Sequence, residues 1–303
     1  MRVLNPQTIN EHIEYLGSSG MSVYLVKGQE YMLVEGGMSY IVPDILKQLD
    51  ARKIDQARIT RYLILHSHFD HCGAVPFFKR HLPAMKVVAS HRAKEIYQKE
   101  KAIKFIREVN GIMIERLGMQ KVAQELNLDF DTLSVDEAVR EGDIVDLGKG
   151  VQVKIIDTPG HSSCSIAAYL LPDKAMFPSD AGGIPNEKNE IFPAGNEDYI
   201  LYQQTLKKLA QYPVEIMGAA RCGAVTGDEA KNYFERSQEA AEQFRLKIVD
   251  QVQRSGDMEK GTQELGEAMY QDMTLKDIPH DVFIGLVRSM VKRVWQDYQE
   301  RQK

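Results

Sequence analysis

Three histidines and an aspartate, His66, His68, Asp70 and His71, lie within one six-residue stretch of the chain. They follow the apolar run at residues 62–65, which is rich in branched side chains and short enough to predict a buried strand. A turn after a strand can direct side chains at this spacing toward one point. Because imidazole and carboxylate are ligands shared by zinc, iron and manganese, the stretch predicts a metal site and not a solvated polar turn.

Residues 66–71 read HSHFDH, which resembles the HxHxDH motif of the metallo-β-lactamase superfamily. The resemblance implies an α/β fold of the αβ/βα four-layer sandwich type, with the metal site at the edge where two sheets meet. It also implies a hydrolase. Under this resemblance His66, His68, Asp70 and His71 are metal ligands, and one or two divalent ions (Zn, Fe or Mn) are expected as cofactors.

Two later segments match the same family. Residues 158–162 resemble its TPGHS-type segment, which makes His161 the third ligand of the first metal. Asp180 resembles the carboxylate that bridges two metals, although Ser179 stands where the family often has glycine. The paired glycines at residues 36–37 correspond to a glycine-containing loop near the metals, and an ordinary turn is the alternative interpretation.

The family pattern breaks at residues 219–223, which read AARCG where a Gly-His-Gly segment is usual. Alignment on Gly223 puts Arg221 in the place of the histidine. Arginine has no lone pair to offer a metal and stays protonated, whereas a Cys222 thiolate could ligate zinc or iron. Three hypotheses follow: Arg221 fills the second metal's place and neutralises Asp70 and Asp180, Cys222 is a replacement ligand, or a second metal binds through Asp70, His71, Asp180 and water.

The elements that carry these residues follow from periodicity. Strands are predicted at residues 21–26, 31–34, 62–65, 85–89, 165–171 and 175–177, and a last core strand at 214–217. Apolar residues recur every three or four positions from 93 to 126 and again after 228, which predicts helices. We therefore expect a metallo-β-lactamase-like domain at 1–227, with a helical insertion at about 92–127, and a C-terminal helical cap at 228–303.

Composition limits the classes of partner. The chain has 303 residues, 43% hydrophobic residues and a net charge of −5, which predicts neither nucleic-acid nor anionic-membrane binding. No apolar run is long enough to predict a membrane span, and the first 17 residues show no signal-peptide pattern. Three widely spaced cysteines favour a reducing cytoplasm over a disulfide framework. Apolar helix faces suggest a homodimer.

A closer resemblance covers nearly the whole chain. Residues 34–37 and 71–73, the long helical insertion and the helical tail resemble the thioesterases of the alkylquinolone pathway, which act on 2-aminobenzoylacetyl-coenzyme A, and the glyoxalase II branch. Phe283 and Leu286 stand where that group has polar residues near its pocket, so we expect them to bind substrate, and the resemblance does not transfer the substrate's identity.

The ligand set predicts a metal-dependent hydrolase. A divalent ion on His66, His68 and His161 would lower the pKa of bound water from about 16 toward 7, giving a hydroxide that attacks a carbonyl carbon. Asp70 would orient the water or move its proton. An acyl thioester on coenzyme A or glutathione is the expected small-molecule substrate. The alternatives are a ligand-binding or regulatory protein on a degraded hydrolase site and a flavodiiron-like oxygen-reactive protein.

Overall fold

The strands of this chain were located in a computed structural model, which describes residues 1–272 and 280–303. In chain order they are β1 (Arg2–Val3), β2 (Ile13–Gly17), β3 (Ser22–Lys27), β4 (Tyr31–Val34), β5 (Ile59–Leu63), β6 (Lys86–Ser90), β7 (Glu137–Val139), β8 (Ile144–Asp146), β9 (Gln152–Asp157), β10 (Ile166–Leu170), β11 (Ala175–Phe177), β12 (Ile184–Pro185), β13 (Ile191–Phe192), β14 (Ile216–Gly218) and β15 (Ala224–Thr226).

Helices separate and follow these strands. The α-helices are α1 (Val42–Ala51), α2 (Val75–His81), α3 (His91–Tyr97), α4 (Glu100–Arg116), α5 (Gln120–Leu126), α6 (Tyr199–Leu209), α7 (Asp228–Lys231), α8 (Tyr233–Ser255), α9 (Met258–Asp272) and α10 (His280–Arg301). Short 3₁₀ turns lie at Ser39–Ile41, Gln56–Arg58, Phe69–His71 and Ser179–Gly182. The helical stretch predicted over 93–126 is thus divided among three helices.

The strands form two large sheets and a small hairpin. One sheet has the order β2-β3-β4-β5-β6-β7 and the other the order β1-β15-β14-β11-β10-β9-β8, while β12 pairs with β13. Strands β4 to β7 run parallel to one another, so their carboxyl ends lie along the same edge. The loop that follows β5 therefore leaves the sheet at an edge where neighbouring loops converge.

Three apolar cores show that the sheets and helices stack in four layers. Alternate residues of β3 enter different cores: Val23 and Leu25 pack toward α1 to α5, whereas Tyr24 and Val26 face the other sheet. A third core lies between the seven-stranded sheet and α6 to α10. Burial on both faces explains the continuous apolar strands, because each side chain removed from water contributes about 1.5–3 kcal/mol. The predicted αβ/βα sandwich with a helical C-terminal region is confirmed.

One strand prediction was wrong. Residues 214–217 were expected to form the last core strand, but β15 follows β14 and pairs with it in an antiparallel hairpin. β15 also pairs with β1 at the chain's start. β15 is only three residues long, and its partner β1 is more than 200 residues away, so no local pattern marks it. The turn between β14 and β15 carries Arg221 and Cys222.

The helical insertion supports the predicted metal loop. Asn110 of α4 is buried, and its amide donates to the carbonyl of Phe69 at 3.2 Å. The backbone N–H of Ser39 donates to the Asn110 side-chain oxygen at 2.9 Å. The insertion is thereby attached to the loop that carries the histidines. Among the helices in the described ranges, none is long and apolar enough to cross a bilayer.

Candidate metal centre

Backbone hydrogen bonds fix the start of the loop that follows β5, just before its histidines. The N–H of Ile64 donates to Val88, and the carbonyl of Leu65 accepts from Ile166 in the opposite sheet. The loop also packs against the turn at Gly36, where a Cβ atom would lie 2.3 Å from the carbonyl oxygen of His71. The glycine turn therefore lies beside the candidate ligands, as the family resemblance implied, and only glycine permits this close approach.

His66, His68 and His161 converge on one point. The Nε2 atom of His66 lies 3.1 Å from His68 Nδ1, and His161 Nε2 lies 3.1 Å from the first and 3.0 Å from the second. His161 reaches this point because Gly160 has a φ of +119° and packs directly on the backbone of Tyr202. Three nitrogens this close match one face of a tetrahedral site with bonds of about 2 Å.

Neighbouring groups orient the outer nitrogens of two of these rings. His161 Nδ1 lies 2.7 Å from the carbonyl oxygen of Ala194, which can only accept, so Nδ1 carries the proton and Nε2 presents a lone pair. His66 Nδ1 lies 3.1 Å from the hydroxyl of Ser179. Ser179 has a φ of +52°, so the residue that replaces the family's glycine adopts a glycine-like backbone and adds a hydroxyl beside a ligand.

Burial and charge keep this cluster in its ligand form. Burial, reinforced by the imidazoles of His71, His68 and His161, holds the pKa of His66 well below its usual value. Burial and His161 lower the pKa of His68 to about 3. Neutral imidazoles with lone pairs directed at one another repel in the absence of a cation. The donor set therefore fits a divalent metal ion.

Carboxylates surround His71 in the second half of the site. His71 Nε2 lies 3.3 Å from Asp180 Oδ2 and 3.4 Å from Asp70 Oδ2, while Nδ1 lies 2.7 Å from Glu35 Oε2. Burial alone would lower the pKa of His71, but Asp70, Asp180 and Glu35 outweigh burial and raise that pKa well above its usual value. His71 Nε2 is buried and lies within ion-pair distance of both aspartates, so it faces the carboxylates of the second ligand group.

Arg221 contacts the candidate ligands directly. Its Nη2 atom donates to Asp70 Oδ2 at 2.7 Å, and its Nη1 atom donates to the carbonyl of Gly20 at 3.0 Å. Burial would raise the pKa of Asp70, but His71 and Arg221 outweigh it and hold that pKa below its usual range. In the same way His71 and His161 overcome burial and lower the pKa of Asp180 to about 2. Both carboxyls are therefore ionised at neutral pH.

Cys222 belongs to neither candidate ligand group. Among the described residues, the groups able to hold a metal are His66, His68 and His161, and His66 with His71 and Asp180; neither includes Cys222. Its N–H donates to the carbonyl of Ser19, and burial raises the pKa of its thiol, which disfavours the thiolate that a metal requires. Neither ligand group therefore supports the hypothesis that Cys222 replaces the missing histidine, and that hypothesis stays a prediction. Cys72, Cys164 and Cys222 are all free, as predicted.

The two predicted substrate residues lie on α10. Phe283 is buried in the core formed by the C-terminal helices, with its ring centre 5.6 Å from that of Tyr270. Leu286 is partly exposed. Phe283 thus packs within the helical region, and the role of both residues toward substrate is still a prediction.

Sequence reasoning missed two polar groups of the site. Glu35 was grouped with the glycine turn, yet it is buried and bound to His71. Its signal was an acidic residue placed directly after the apolar strand β4, with a φ of +72° that only the folded turn reveals. The Ala194 carbonyl could not be found from the sequence, because every residue has a backbone carbonyl.

The chain belongs to the metallo-β-lactamase superfamily, whose family model matches residues 17–220. Two curated relatives are hydroxyacylglutathione hydrolases. The one from a Polaromonas species is 30% identical over 174 residues, which cover 55% of this chain and 49% of that protein. The one from Rhodopseudomonas palustris is 25% identical over 268 residues, which cover 86% of each chain. This chain thus spans about half the length of the first relative.

Solved structures agree on the fold. A metallo-β-lactamase superfamily protein of Sulfolobus tokodaii superimposes with a TM-score of 0.58 and 17% identity, over 95% of this chain and 99% of that one. A metallo-β-lactamase of Novosphingobium pentaromativorans gives a TM-score of 0.60 with 17% identity, over 82% and 92% of the two chains. At these identities the similarity shows the fold alone.

Proposed function

We propose that this protein is a metal-dependent hydrolase that acts on an acyl thioester carried by coenzyme A or glutathione. The observation that carries the proposal is the convergence of His66, His68 and His161, whose three ring nitrogens lie 3.0–3.1 Å apart. The two relatives named hydroxyacylglutathione hydrolase support a thioester substrate. Membership of the superfamily supports a hydrolase.

The histidines, Asp70 and Arg221 have different roles in the proposed reaction. A divalent ion held by the three histidines would supply a Lewis acid and a water of lowered pKa. Asp70 accepts hydrogen bonds and orients the water, and because its pKa is lowered it acts as a positioning acceptor and not as a strong base. The Arg221 guanidinium, which is about 20% exposed and bound to Asp70, would stabilise negative charge that develops on the carbonyl oxygen.

A thioester suits this arrangement. Its thiolate leaves without a strong general acid. His66 and His68 have lowered pKa values and are therefore neutral at neutral pH, so neither of them is a strong general acid. Leu286 is partly exposed whereas Phe283 is buried, so we propose that Leu286 contacts the acyl or carrier group and that Phe283 supports the helix behind it.

The direct test is thiol release from a panel of acyl-coenzyme A and acylglutathione substrates, measured with a thiol-reactive dye. Metal-loaded protein should release thiol, and His68→Ala should not. Leu286→Glu should raise KM more than it lowers kcat if Leu286 contacts substrate. The matched control is Leu201→Glu, a substitution at an exposed leucine of α6. Absence of thiol release from every substrate by metal-loaded protein would contradict the proposal.

The Arg221–Asp70 pair favours a second candidate, a ligand-binding or regulatory protein on a modified hydrolase site. An arginine that neutralises a candidate ligand is also the group that would bind an anionic small molecule. Equilibrium dialysis against the same thioesters separates the two functions. Tight binding without thiol release would favour the regulatory protein.

A further inference from the structure

Arg221 occupies a fixed position in the second half of the site. Both ends of its guanidinium are bound, one to Asp70 Oδ2 at 2.7 Å and the other to the Gly20 carbonyl at 3.0 Å. Its residue lies in the turn between β14 and β15, and Cys222, the next residue, has a φ of +58° and donates its N–H to Ser19. The backbone turn and these two hydrogen bonds together hold the guanidinium against Asp70.

This contact removes a ligand from the second metal position. A carboxylate oxygen that accepts a charge-assisted hydrogen bond at 2.7 Å is less available to a metal. The arginine also places a permanent positive charge beside any cation that Asp70 would bind. Like charges at this distance repel strongly when they are partly buried.

The two candidate ligand groups also compete for His66. Both the group with His68 and His161 and the group with His71 and Asp180 include it. His66 Nε2 lies 3.1 Å from His68 Nδ1 and from His161 Nε2, and its Nδ1 lies beside Ser179. Because His66 has one lone pair to give, filling the three-histidine position leaves only His71 and Asp180 for a second ion.

We propose that this chain holds one metal ion, at His66, His68 and His161, and that Arg221 supplies the positive charge of a second ion. The inference concerns the site of the proposed function, but it does not depend on which substrate is hydrolysed. It makes Arg221 the residue that determines how many metals bind.

Metal content tests the inference without any substrate. Chelator-treated protein is equilibrated with excess zinc, freed of unbound metal by gel filtration and analysed by inductively coupled plasma mass spectrometry. We expect one zinc per chain in the wild type and two in Arg221→His, which returns an imidazole to this position. Arg221→Lys keeps the charge and is the matched control, with one zinc per chain. Circular dichroism checks that each variant is folded.

Other outcomes overturn the inference. Two zinc ions per chain in the wild type would show that Arg221 does not prevent the second site. One zinc per chain in a folded Arg221→His variant would show that the arginine is not what prevents a second metal ion from binding. Retention of the single zinc by His161→Ala would place the ion elsewhere. If Arg221→His does not fold, cobalt titration of the wild type still decides, because a second equivalent of bound cobalt adds a second set of absorption bands. Thiol release, measured separately, decides whether the proposed function holds.

Discussion

The two halves of the candidate metal centre use the same loop in different ways. His66 and His68 join His161 in a cluster of neutral imidazoles, whereas Asp70 and His71 join Asp180 in a cluster of charged groups. The first half offers three converging imidazole nitrogens, a donor set that fits a divalent metal ion. The second half already contains cations, Arg221 among them. The comparison shows that a residue from a distant turn, Arg221, contacts a candidate ligand of the second half, Asp70, while the three imidazole nitrogens of the first half still converge.

Removal of a ligand from the first half should have the largest effect. His161→Ala deletes one of three donors, and we expect metal affinity to fall by more than about 100-fold, since loss of outer partners alone costs about 10–100-fold. Thiol release should fall below detection. Zinc content and thiol release are measured on the same sample, with His91→Ala as a control at an exposed histidine. Unchanged zinc content would show that the three-histidine half is not the half that binds the metal.

Removal of the metal itself should also destabilise the first half. A ligand present at about 1,000 times its Kd stabilises the folded state by about 4 kcal/mol. We therefore expect chelation to lower the Tm by several degrees and zinc to restore it. Differential scanning calorimetry measures this change. In His161→Ala the chelator should have little effect, and an equal shift in both proteins would mean that the stabilising ion binds at another position.

Loss of the arginine should destabilise the second half. Arg221→Ala removes the closer of the two cationic partners of buried Asp70 and leaves only His71, and breaking such a pair costs about 3 kcal/mol. Urea unfolding of the chelated protein measures the free energy. Asp70→Asn in the same background is the partner variant, and the double substitution should cost less than the two single costs together. Strict additivity would show that the two groups do not interact energetically.

A change of charge at Glu35 should affect the second half of the site and not the first, with a smaller effect than the substitutions above. Glu35→Gln keeps an acceptor oxygen for His71 Nδ1 and removes one negative charge. We expect thiol release to fall about 10-fold, with zinc affinity of the three-histidine position nearly unchanged. Competition with a chromophoric chelator gives the affinity. A parallel fall in affinity would mean that the single metal is bound on the His71 side.

The smallest effect is expected at Cys222. Cys222→Ser preserves size and backbone, and the thiol belongs to neither ligand group. Zinc content should be unchanged and the free energy of unfolding should shift by less than about 0.5 kcal/mol. A loss of zinc would support the hypothesis that the cysteine replaces the missing histidine.

Much of the fold was predictable because its signals are local. The apolar runs around residues 62–65, 165–171 and 175–177 end in turns, and these strands are buried on both faces. The failure at β15 has the opposite cause. Its three residues become a strand only because β14 and β1 lie on either side, and β1 is brought there by the whole sandwich.

The sequence by itself determined which residues form the three-histidine cluster. When candidate ligands follow the ends of strands, their residue types and spacing are enough to identify them. The sequence did not decide whether Arg221 or Cys222 takes the place of the missing histidine. The two residues are adjacent in a turn, and the direction of each side chain is not encoded in a local sequence pattern. Only the tertiary structure directed Arg221 onto Asp70 and brought Glu35 and Ser179 to His71 and His66. These contacts join residues far apart in the chain, so their energies depend on distances that no local pattern encodes.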